Sequence, residues 1–241
     1  MDNRLEMKIE YYHDYAAMST AGASMVIKAL GNKPDMLLCA ATGHSPFGLY
    51  QELVHRSKPE KNQYGLMRVI KLDEWIGLGH NGEGTCEHYL RSNLINPLAI
   101  TENRYLAFDT ENPDPPEECA RMKLQLQQNG PIDLCILGLG KNGHLGFNEP
   151  GSYLQPHCHV AQLSHTSQQH GMVARIADTP QYGMTLGMAD ILASRKIVLL
   201  VTGEGKEKAK QRLLSGKIST ECPASFLWLH GNVDCLIVRN I

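Results

Sequence analysis

Residues 131–150 read PIDLCILGLGKNGHLGFNEP, an apolar run that passes directly into a glycine-rich loop. A short, uninterrupted apolar run is typical of a strand that is covered on both faces of a parallel sheet. The alternation of such runs with helical patterns predicts an α/β fold in three layers, with a mostly parallel, Rossmann-like sheet and helices on both faces. Four similar runs are MLLCAA at 36–41, MRVIKL at 67–72, KIVLLVT at 196–202 and VDCLIV at 233–238.

The segments between these runs predict the remaining elements of a single domain that spans residues 1–241. Residues 150–183 are rich in His, Gln, Ser and Gly and show weak periodicity, so we expect a mobile lid around 152–185. The other predicted elements are a strand at 8–12, a helix capped by Asp14, a helix from Phe47 to His55, a helix near 85–95 capped by Thr85, a helix that ends near Gln128 and a helix at 207–216.

The composition excludes several classes of protein. A chain of 241 residues with a net charge of −2 suits one large domain and shows no bias towards nucleic acid or anionic membranes. No apolar run approaches the roughly 20 residues of a membrane-spanning helix, and the first residues lack the apolar core of a signal peptide. The seven cysteines are odd in number and include no CxxC, which predicts reduced thiols and a cytoplasmic protein.

In open α/β sheets, ligands bind beyond the carboxyl ends of the strands. The loops that follow the predicted strands are therefore the candidate functional segments. Four of them contain chemically useful side chains: TGHSP at 42–46, DEW at 73–75, GKNGHLGFNEP at 140–150 and TGEGK at 202–206.

Two of these loops are candidates for phosphate binding. In TGHSP, the residues Thr42, Gly43, His44 and Ser45 lead into a helix whose first amides can cradle an anion, although an ordinary serine-capped turn would look the same. TGEGK is not a Walker loop, because its spacing is wrong and Glu follows the lysine. Lys206 can either supply a positive charge to the same phosphate or be a solvated surface lysine.

The other two loops are candidates for acid–base chemistry. Asp73 and Glu74 end a strand beside Trp75, where a carboxylate can acquire a shifted pKa, or can simply terminate the strand and cap a loop. His144 and Glu149 lie in one strand-end loop and can form an acid–base pair. The alternative there is a glycine-rich turn with a buried polar anchor.

A dinucleotide cofactor is not expected, although Gly138, Gly140 and Gly143 stand in GxGxxG register. That motif requires an acidic residue about 20 positions further on and a helix at the third glycine. Residues 150–177 contain no Asp or Glu, and FNEP at 147–150 is typical of a loop.

A metal site is not expected either. The histidine-rich segment includes His157, Cys158 and His159, but adjacent residues on an extended chain point to opposite sides. The spacing of these residues matches no zinc pattern.

Taken together, LDEW (72–75), GLGKNGHLGFNEP (138–150), TGHSP (42–46) and the lysine of TGEGK resemble the glucosamine-6-phosphate deaminase/isomerase family over nearly the whole chain. GFNEP is the most specific element, and the related 6-phosphogluconolactonases lack this NEP signature. A subgroup, the galactosamine-6-phosphate deaminase/isomerases of bacterial amino-sugar catabolism, is more similar still. The features shared with it are KNGHLG, LQPHCHVAQL (154–163), QQH (168–170), LVTGEGK (200–206) and ASFLWLH (224–230).

The resemblance implies an aldose–ketose isomerisation that releases ammonia and needs no metal or organic cofactor. By resemblance, Asp73 moves the proton between C2 and C1, His144 shuttles a proton to the ring oxygen, and Glu149 orients and tunes His144. The phosphate end would be held by Lys206, Ser45 and the backbone near Gly43. The full predicted site comprises Asp73, Asn142, His144 and Glu149 as catalytic residues, and Thr42, Gly43, His44, Ser45, Glu74, Gly140 and Lys206 as substrate-binding residues.

Three departures from the glucosamine enzymes are visible. Asn142 replaces an Asp, so a second negative charge near the histidine is missing, which matches the galactosamine subgroup. A phosphate-binding arginine of the lid aligns near Gln168, so Lys206 or Arg175 would have to compensate. The basic residues of an allosteric site fall near His159 and Ala161, which argues against that site and leaves a homo-oligomer possible.

Three other functions remain open. The first keeps the chemistry but acts on glucosamine 6-phosphate and yields fructose 6-phosphate, because a sequence cannot show the position of one hydroxyl. The second is a lactonase on a sugar-phosphate lactone, against which the NEP element counts. The third is a sugar-phosphate sensor without activity, against which the retained Asp73, His144 and Glu149 count.

Overall fold

The computed structural model describes residues 7–57, 63–79, 82–173 and 179–239. Within them, the apolar runs form strands and the segments between these runs form helices. The strands are β1 (Lys8–Tyr12), β2 (Leu37–Ala40), β3 (Arg68–Lys71), β4 (Asp73–Trp75), β5 (Tyr105–Leu106), β6 (Leu134–Gly138), β7 (His159–Gln162), β8 (Tyr182–Thr185), β9 (Ile197–Val201) and β10 (Val233–Val238). The α-helices are α1 (Tyr15–Asn32), α2 (His44–His55), α3 (Cys86–Leu90), α4 (Pro115–Asn129), α5 (His165–Gln168), α6 (Met188–Leu192) and α7 (Glu207–Leu214).

Seven strands form one sheet in the order β1-β10-β9-β6-β2-β3-β5, and every neighbouring pair is parallel. The strand β6, which contains LCILG of the opening stretch, lies at the centre between β9 and β2. The other three strands form a small antiparallel sheet in the order β4-β8-β7. The prediction of an α/β fold with a mostly parallel sheet is confirmed.

Both faces of the large sheet are buried, which explains why its strands are uninterrupted apolar runs. Along β2, Leu37 and Cys39 belong to one hydrophobic core, and Leu38 and Ala40 belong to the other. The first core packs against α4, α6 and α7, and the second packs against α1 and α2. Successive side chains on a strand point to opposite faces, so a strand between two helix layers needs apolar residues throughout.

The chain passes from the large sheet to the small one immediately after β3. The amide of Leu72 donates to the carbonyl of Ala40 at 3.2 Å, and the carbonyl of Leu72 accepts from the amide of Leu186 at 2.9 Å. Strand β4 then pairs with β8, with Asp73 opposite Thr185. The sequence pattern predicts DEW as the end of the preceding strand, whereas in the structure this change of sheet places Asp73 at the carboxyl edge of the parallel strands.

The segment with weak periodicity is more regular than its sequence indicated. Residues 150–183 include all of β7 and α5 and the first half of β8, where the sequence pattern predicts no element. Both strands are only four residues long and pair with each other in antiparallel register, with His159 opposite Thr185. Four residues are too few to display a clear period of two, so this sheet could not be recognised from the pattern.

The predicted helix caps are present, although some helix ends differ. The side chain of Asp14 accepts from the amide of Ala17, and that of Thr85 accepts from the amide of His88. Helix α2 begins at His44 and not at Phe47. After α3 the chain continues as a π-helical turn, Arg91–Ile95, and short 3₁₀ helices lie at Glu102–Arg104 and Pro223–Leu229.

Two further observations concern the whole described chain. All seven cysteines are free thiols. In residues 7–57, 63–79, 82–173 and 179–239, no helix has both the length and the apolar character needed to cross a bilayer.

Candidate active site

The candidate residues converge because the loops that carry them all follow parallel strands at one edge of the sheet. A Cβ atom added to Gly138, at the end of β6, would lie 3.3 Å from Cβ of Ser45 in α2. A Cβ atom added to Gly203, after β9, would lie 3.9 Å from the His44 ring and 4.0 Å from the Lys206 side chain. These close approaches show that the loops after β2, β6 and β9 share one site.

The first turn of α2 and Lys206 form an anion-binding arrangement. Gly43 precedes the helix with φ of +95°, a conformation that favours glycine. Lys206 Nζ donates to Oγ of Ser45 at 3.0 Å, and Ser45 is only 5% exposed. The first amides of a helix have no acceptor within the helix, so they remain available for an anion. Burial, assisted by the charge of Lys141, lowers the pKa of Lys206 to about 8.

Two tyrosines that the sequence interpretation missed hold this turn in place. The hydroxyl of Tyr15 donates to the carbonyl of His44, and the two rings stack with centroids 4.7 Å apart. The hydroxyl of Tyr89 donates to the carbonyl of Gly43 at 2.7 Å. The same Tyr15 oxygen accepts from the amide of Gly48 at 2.7 Å. Both carbonyls are therefore fixed, which fixes the orientation of the amides in the turn.

Asp73 has the properties of a general base. It is 6% exposed, and burial is the main cause that raises its pKa to about 7, followed by the negative charge of Glu74. The charge of His144 and a hydrogen bond from Cys86 Sγ, 3.7 Å from Oδ1, oppose this shift. Thr42 Oγ1 in turn lies 3.4 Å from the Cys86 sulfur. A carboxyl group that titrates near neutral pH can both accept a proton and return it.

Glu74, which is predicted to bind substrate, is engaged by contacts within the protein. Its side chain is fully buried, and both carboxylate oxygens accept bonds from within the protein. Oε1 accepts from the amides of Trp75 and Cys86, each at 2.9 Å, and Oε2 accepts from the amide of Glu87 at 2.7 Å and from Lys71 Nζ at 2.9 Å. Glu74 therefore fixes β4 against α3, and its negative charge contributes to the raised pKa of Asp73.

The loop after β6 carries a relay centred on His144. Nδ1 of His144 lies 3.5 Å from Oε2 of Glu149 and 3.2 Å from Oγ of Ser167. Burial alone would raise the pKa of Glu149, but the hydrogen bond and charge of His144, with Ser167 and Asn142, lower it to about 2. Glu149 is thus a permanent anion that can orient His144 and stabilise its protonated form.

Asn142 connects this relay to the segment between β7 and β8. Its Nδ2 donates to Oε2 of Glu149 at 2.8 Å and to Oγ of Ser164 at 3.1 Å, and its Oδ1 accepts from the amide of His144 at 3.1 Å. The amide of Ser164 also donates to Oε1 of Glu149 at 3.3 Å. Asn142 therefore orients Glu149 by donating to it, which an aspartate carboxylate could not do.

Gly140 has a steric role in this geometry. A Cβ atom at this position would lie 2.2 Å from Cδ2 and 2.3 Å from Nε2 of the His144 ring, a distance that no side chain can adopt. A Cβ atom at Gly146, which has φ of +58°, would lie 3.5 Å from Oδ2 of Asp73. Glycine at both positions lets the loop pass close to His144 and Asp73. Nothing in the contacts of Gly140 identifies it as a ligand to substrate.

His170, to which the sequence pattern assigns no role, lies beside the anion-binding turn. A Cβ atom on Gly43 would be 3.3 Å from Nε2 of His170, and the His170 ring is 6.2 Å from that of Trp75. Burial, followed by the charges of His144, Lys206 and Lys141, lowers the pKa of His170 to about 4. The only signal in the sequence was the tripeptide QQH. Arg175, the other candidate for phosphate binding, lies outside the described residues.

The histidine-rich segment makes ordinary polar contacts. His157 Nδ1 pairs with Oδ1 of Asp190 at 2.9 Å, and His159 Nδ1 lies 2.8 Å from the carbonyl of His157. Throughout the part of the chain that the structure describes, no three His, Cys, Asp or Glu residues come together as metal ligands do.

Known proteins are similar in sequence to this chain over nearly its full length. The Escherichia coli (strain K12) protein named "Putative deaminase AgaI" is 42% identical over 229 residues, which cover 95% of this chain and 91% of that protein. The glucosamine-6-phosphate deaminase of Bacillus pumilus (strain SAFR-032) is 34% identical over 235 residues, which cover 97% and 98%.

Solved structures share the fold. A monomeric glucosamine-6-phosphate deaminase matches with a TM-score of 0.90 and 31% identity, covering 97% of this chain and 98% of that one. The 6-phosphogluconolactonase of Trypanosoma brucei matches with a TM-score of 0.79 and 20% identity, covering 97% of each chain. A family model described as glucosamine-6-phosphate isomerases/6-phosphogluconolactonase matches residues 14–236. The chain therefore belongs to the family of glucosamine-6-phosphate isomerases and 6-phosphogluconolactonases.

Proposed function

We propose that this protein is a deaminating aldose–ketose isomerase that converts D-galactosamine 6-phosphate to D-tagatose 6-phosphate and ammonia. The observation that carries the proposal is the buried carboxyl of Asp73, whose pKa is raised to about 7. It lies within electrostatic range of His144, whose ring is paired with Glu149. A base that titrates near neutrality beside an oriented imidazole suits a reaction made of successive proton transfers.

The phosphate anchors the substrate at the turn before α2. Lys206 supplies a positive charge, Ser45 supplies a hydroxyl group, and the first amides of α2 supply donors. Fixing the remote end of the sugar in this way lowers the entropic cost of aligning its reactive end with the base.

His144 opens the sugar ring. The protonated imidazole delivers a proton to the ring oxygen as the bond from C1 to that oxygen breaks, and the imidazole takes up the proton that the C1 hydroxyl loses as the open-chain aldehyde forms. Glu149, which remains ionised because its pKa is about 2, stabilises the charged imidazole before the proton leaves.

Asp73 then moves one proton along the open chain. Its carboxylate removes the proton from C2, which the neighbouring carbonyl acidifies, and an enolamine forms. The same carboxyl returns the proton to C1, which leaves an imine at C2. Water adds to that imine and ammonia departs, so the products are the ketose phosphate and ammonia. No step requires a metal or an organic cofactor.

The galacto preference is supported by the features shared with the galactosamine subgroup, above all Asn142 within KNGHLG and the QQH tripeptide. A second candidate substrate is glucosamine 6-phosphate. The name of the Bacillus pumilus relative and that of the solved monomeric enzyme favour it. The lactonases match at 20% identity, which supports only a common fold.

We also propose that residues 1–241 form a single domain and that residues 152–185 act as a mobile lid over the site. Residues 152–185 supply Ser164 and Ser167 to the His144 relay and place His170 beside Gly43. Displacement of this segment would open the site, so we expect faster amide hydrogen exchange in β7 and β8 than in β9, and slower exchange when a substrate analogue is bound. Equal rates of amide hydrogen exchange with and without the analogue would argue against a lid.

The test is ammonia release from galactosamine 6-phosphate and glucosamine 6-phosphate, side by side, in the presence of a metal chelator and with no added cofactor. We expect the galacto sugar to be favoured by at least about tenfold in kcat/KM, which corresponds to about 1.4 kcal/mol. Asp73→Asn serves as the inactive control. A gluco preference would keep the mechanism and change the substrate, and release from neither sugar would refute the proposed function.

A further inference from the structure

His170 presents an unused hydrogen-bond donor to the anion-binding turn. The amide of Met172 donates to Nδ1 at 3.3 Å, so in the neutral ring the hydrogen must reside on Nε2. A Cβ atom on Gly43 would lie 3.3 Å from Nε2 and 3.4 Å from Cε1, which shows that this edge of the ring faces the turn. Among the described residues, no protein atom accepts a hydrogen bond from Nε2.

The same corner of the site carries an excess of positive charge. Lys206, Lys141 and His144 all act electrostatically on His170, and no carboxylate within the described chain is among the groups that shift its pKa. A Cβ atom on Gly205 would lie 3.7 Å from Nζ of Lys141, so this lysine approaches the turn that carries Lys206. Two lysines and a neutral donor form a suitable environment for a dianion, whereas an apolar ligand would offer no anionic acceptor to any of the three.

We propose that His170 is a substrate-binding residue whose Nε2–H donates to the phosphate group held by Ser45 and Lys206, with Lys141 as the second cation of this subsite. The assignment of that anion to a sugar phosphate rests on the proposed function. The ring edge faces Gly43, which is the N-cap residue of α2 and therefore lies beside the first amides of that helix. His170 would therefore close the subsite on the side opposite to α2.

The hydrogen bond would be made by the neutral ring. The pKa of His170 is lowered to about 4, so the free protein carries a neutral imidazole above roughly pH 5. Nε2 keeps its hydrogen in that form because Nδ1 is occupied by the Met172 amide. Donation to phosphate consequently does not depend on titration of His170 in the neutral range.

Three variants test the role of this donor. His170→Phe keeps a ring that can pack near Trp75 but removes both nitrogens, and His170→Leu repeats the loss with a smaller side chain. His170→Gln restores an N–H donor near the position of Nε2. The matched control is His165→Gln, because His165 is an exposed histidine of the adjacent helix α5 whose ring hydrogen-bonds to the side chain of Gln169.

The primary measurement is calorimetric titration with inorganic phosphate, together with KM and kcat for ammonia release. We expect His170→Phe to weaken phosphate binding and raise KM by about tenfold or more, with kcat changed by less than about threefold, because one donor to a charged group is lost. His170→Gln should recover most of the affinity, and His165→Gln should match the wild type. A thermal melt of each variant establishes that it is folded.

The outcomes separate this proposal from the proposed function. If neither amino sugar releases ammonia but His170→Phe or His170→Leu weakens phosphate binding, the phosphate-binding role stands and the deaminase falls. If ammonia is released and a folded His170→Phe or His170→Leu protein keeps wild-type KM and phosphate affinity, the role of His170 is refuted. A loss of affinity that His170→Gln shares in full would also refute it, because the donor would then not be the cause.

Discussion

Replacing Asp73 by Asn should abolish turnover and at the same time stabilise the protein at neutral pH. The wild-type carboxyl is buried, and its pKa is raised to about 7 because burial and the charge of Glu74 disfavour the ionised form. In the unfolded chain the same group would have its ordinary pKa near 3.8. Between these two values the folded protein keeps a proton that the unfolded chain has lost, so folding stability decreases as pH rises.

The size of the effect follows from the pKa difference. Each pKa unit corresponds to about 1.4 kcal/mol, so a shift from 3.8 to about 7 costs the wild type roughly 4 kcal/mol above pH 7. Between pH 5 and pH 8 the free energy of unfolding of the wild type should decrease by about 3 kcal/mol, and most of this decrease falls below pH 7. Asparagine is neutral throughout, so the variant lacks this slope, and its advantage over the wild type should grow by that amount.

The assay is urea unfolding of wild type and Asp73→Asn at pH 5, 6, 7 and 8, with Asp109→Asn as a control at an exposed aspartate outside the site. Other titrating groups are common to the proteins and cancel in the difference. Ammonia release by Asp73→Asn should fall by at least about 10³-fold while an analogue still binds. Parallel pH slopes for wild type and Asp73→Asn would refute the raised pKa, and retained turnover would refute the assignment of the base.

Three further predictions concern other groups of the site. Lys206→Ala should raise KM roughly 10- to 100-fold, because a charged donor is lost. The wild-type KM should itself rise above about pH 8, where Lys206 loses its proton. An unchanged KM for Lys206→Ala would show that Lys206 is not part of the subsite. Asn142→Asp should place a carboxylate against Glu149 and raise the pKa of Glu149, which an NMR titration of the Glu149 carboxyl would record as a higher midpoint than in the wild type. Glu74→Gln should lower the free energy of unfolding by about 3–5 kcal/mol, because Lys71 loses one of its two buried partners. The same variant should move the acid limb of the activity profile, which reports Asp73, to lower pH.

The large sheet could be predicted because both of its faces are buried. Continuous apolar runs such as IVLLV at 197–201 mark strands whatever their order, and the loops after them then meet at one edge. The sequence alone therefore predicts that Asp73, His144 and Lys206 lie in one region. The order of the strands could not be derived in the same way, because hydrophobic pattern does not distinguish one buried strand from another.

The misses have a common physical origin in tertiary contacts that no local pattern encodes. The position of Glu74 at a strand end is compatible with a site carboxylate or with a loop cap, and its burial depends on Lys71 and the amides of Trp75, Cys86 and Glu87. The early start of α2 depends on Gly43, whose φ of +95° the sequence could suggest but not establish. The position of His170 depends on the short strands β7 and β8, which are too brief to show a period.

The two acids of the site differ in their surroundings, and that difference assigns their roles. Asp73 is buried, and burial together with the negative charge of Glu74 raises its pKa to about 7. Glu149 receives hydrogen bonds from Asn142 and Ser164 and faces His144, and its pKa is lowered to about 2. Near neutral pH, only the first can exchange a proton with a carbon acid, and only the second is a fixed charge that can hold an imidazolium. Exchanging these environments would exchange the roles, so the protein environment, more than the carboxyl groups themselves, determines which residue is the base.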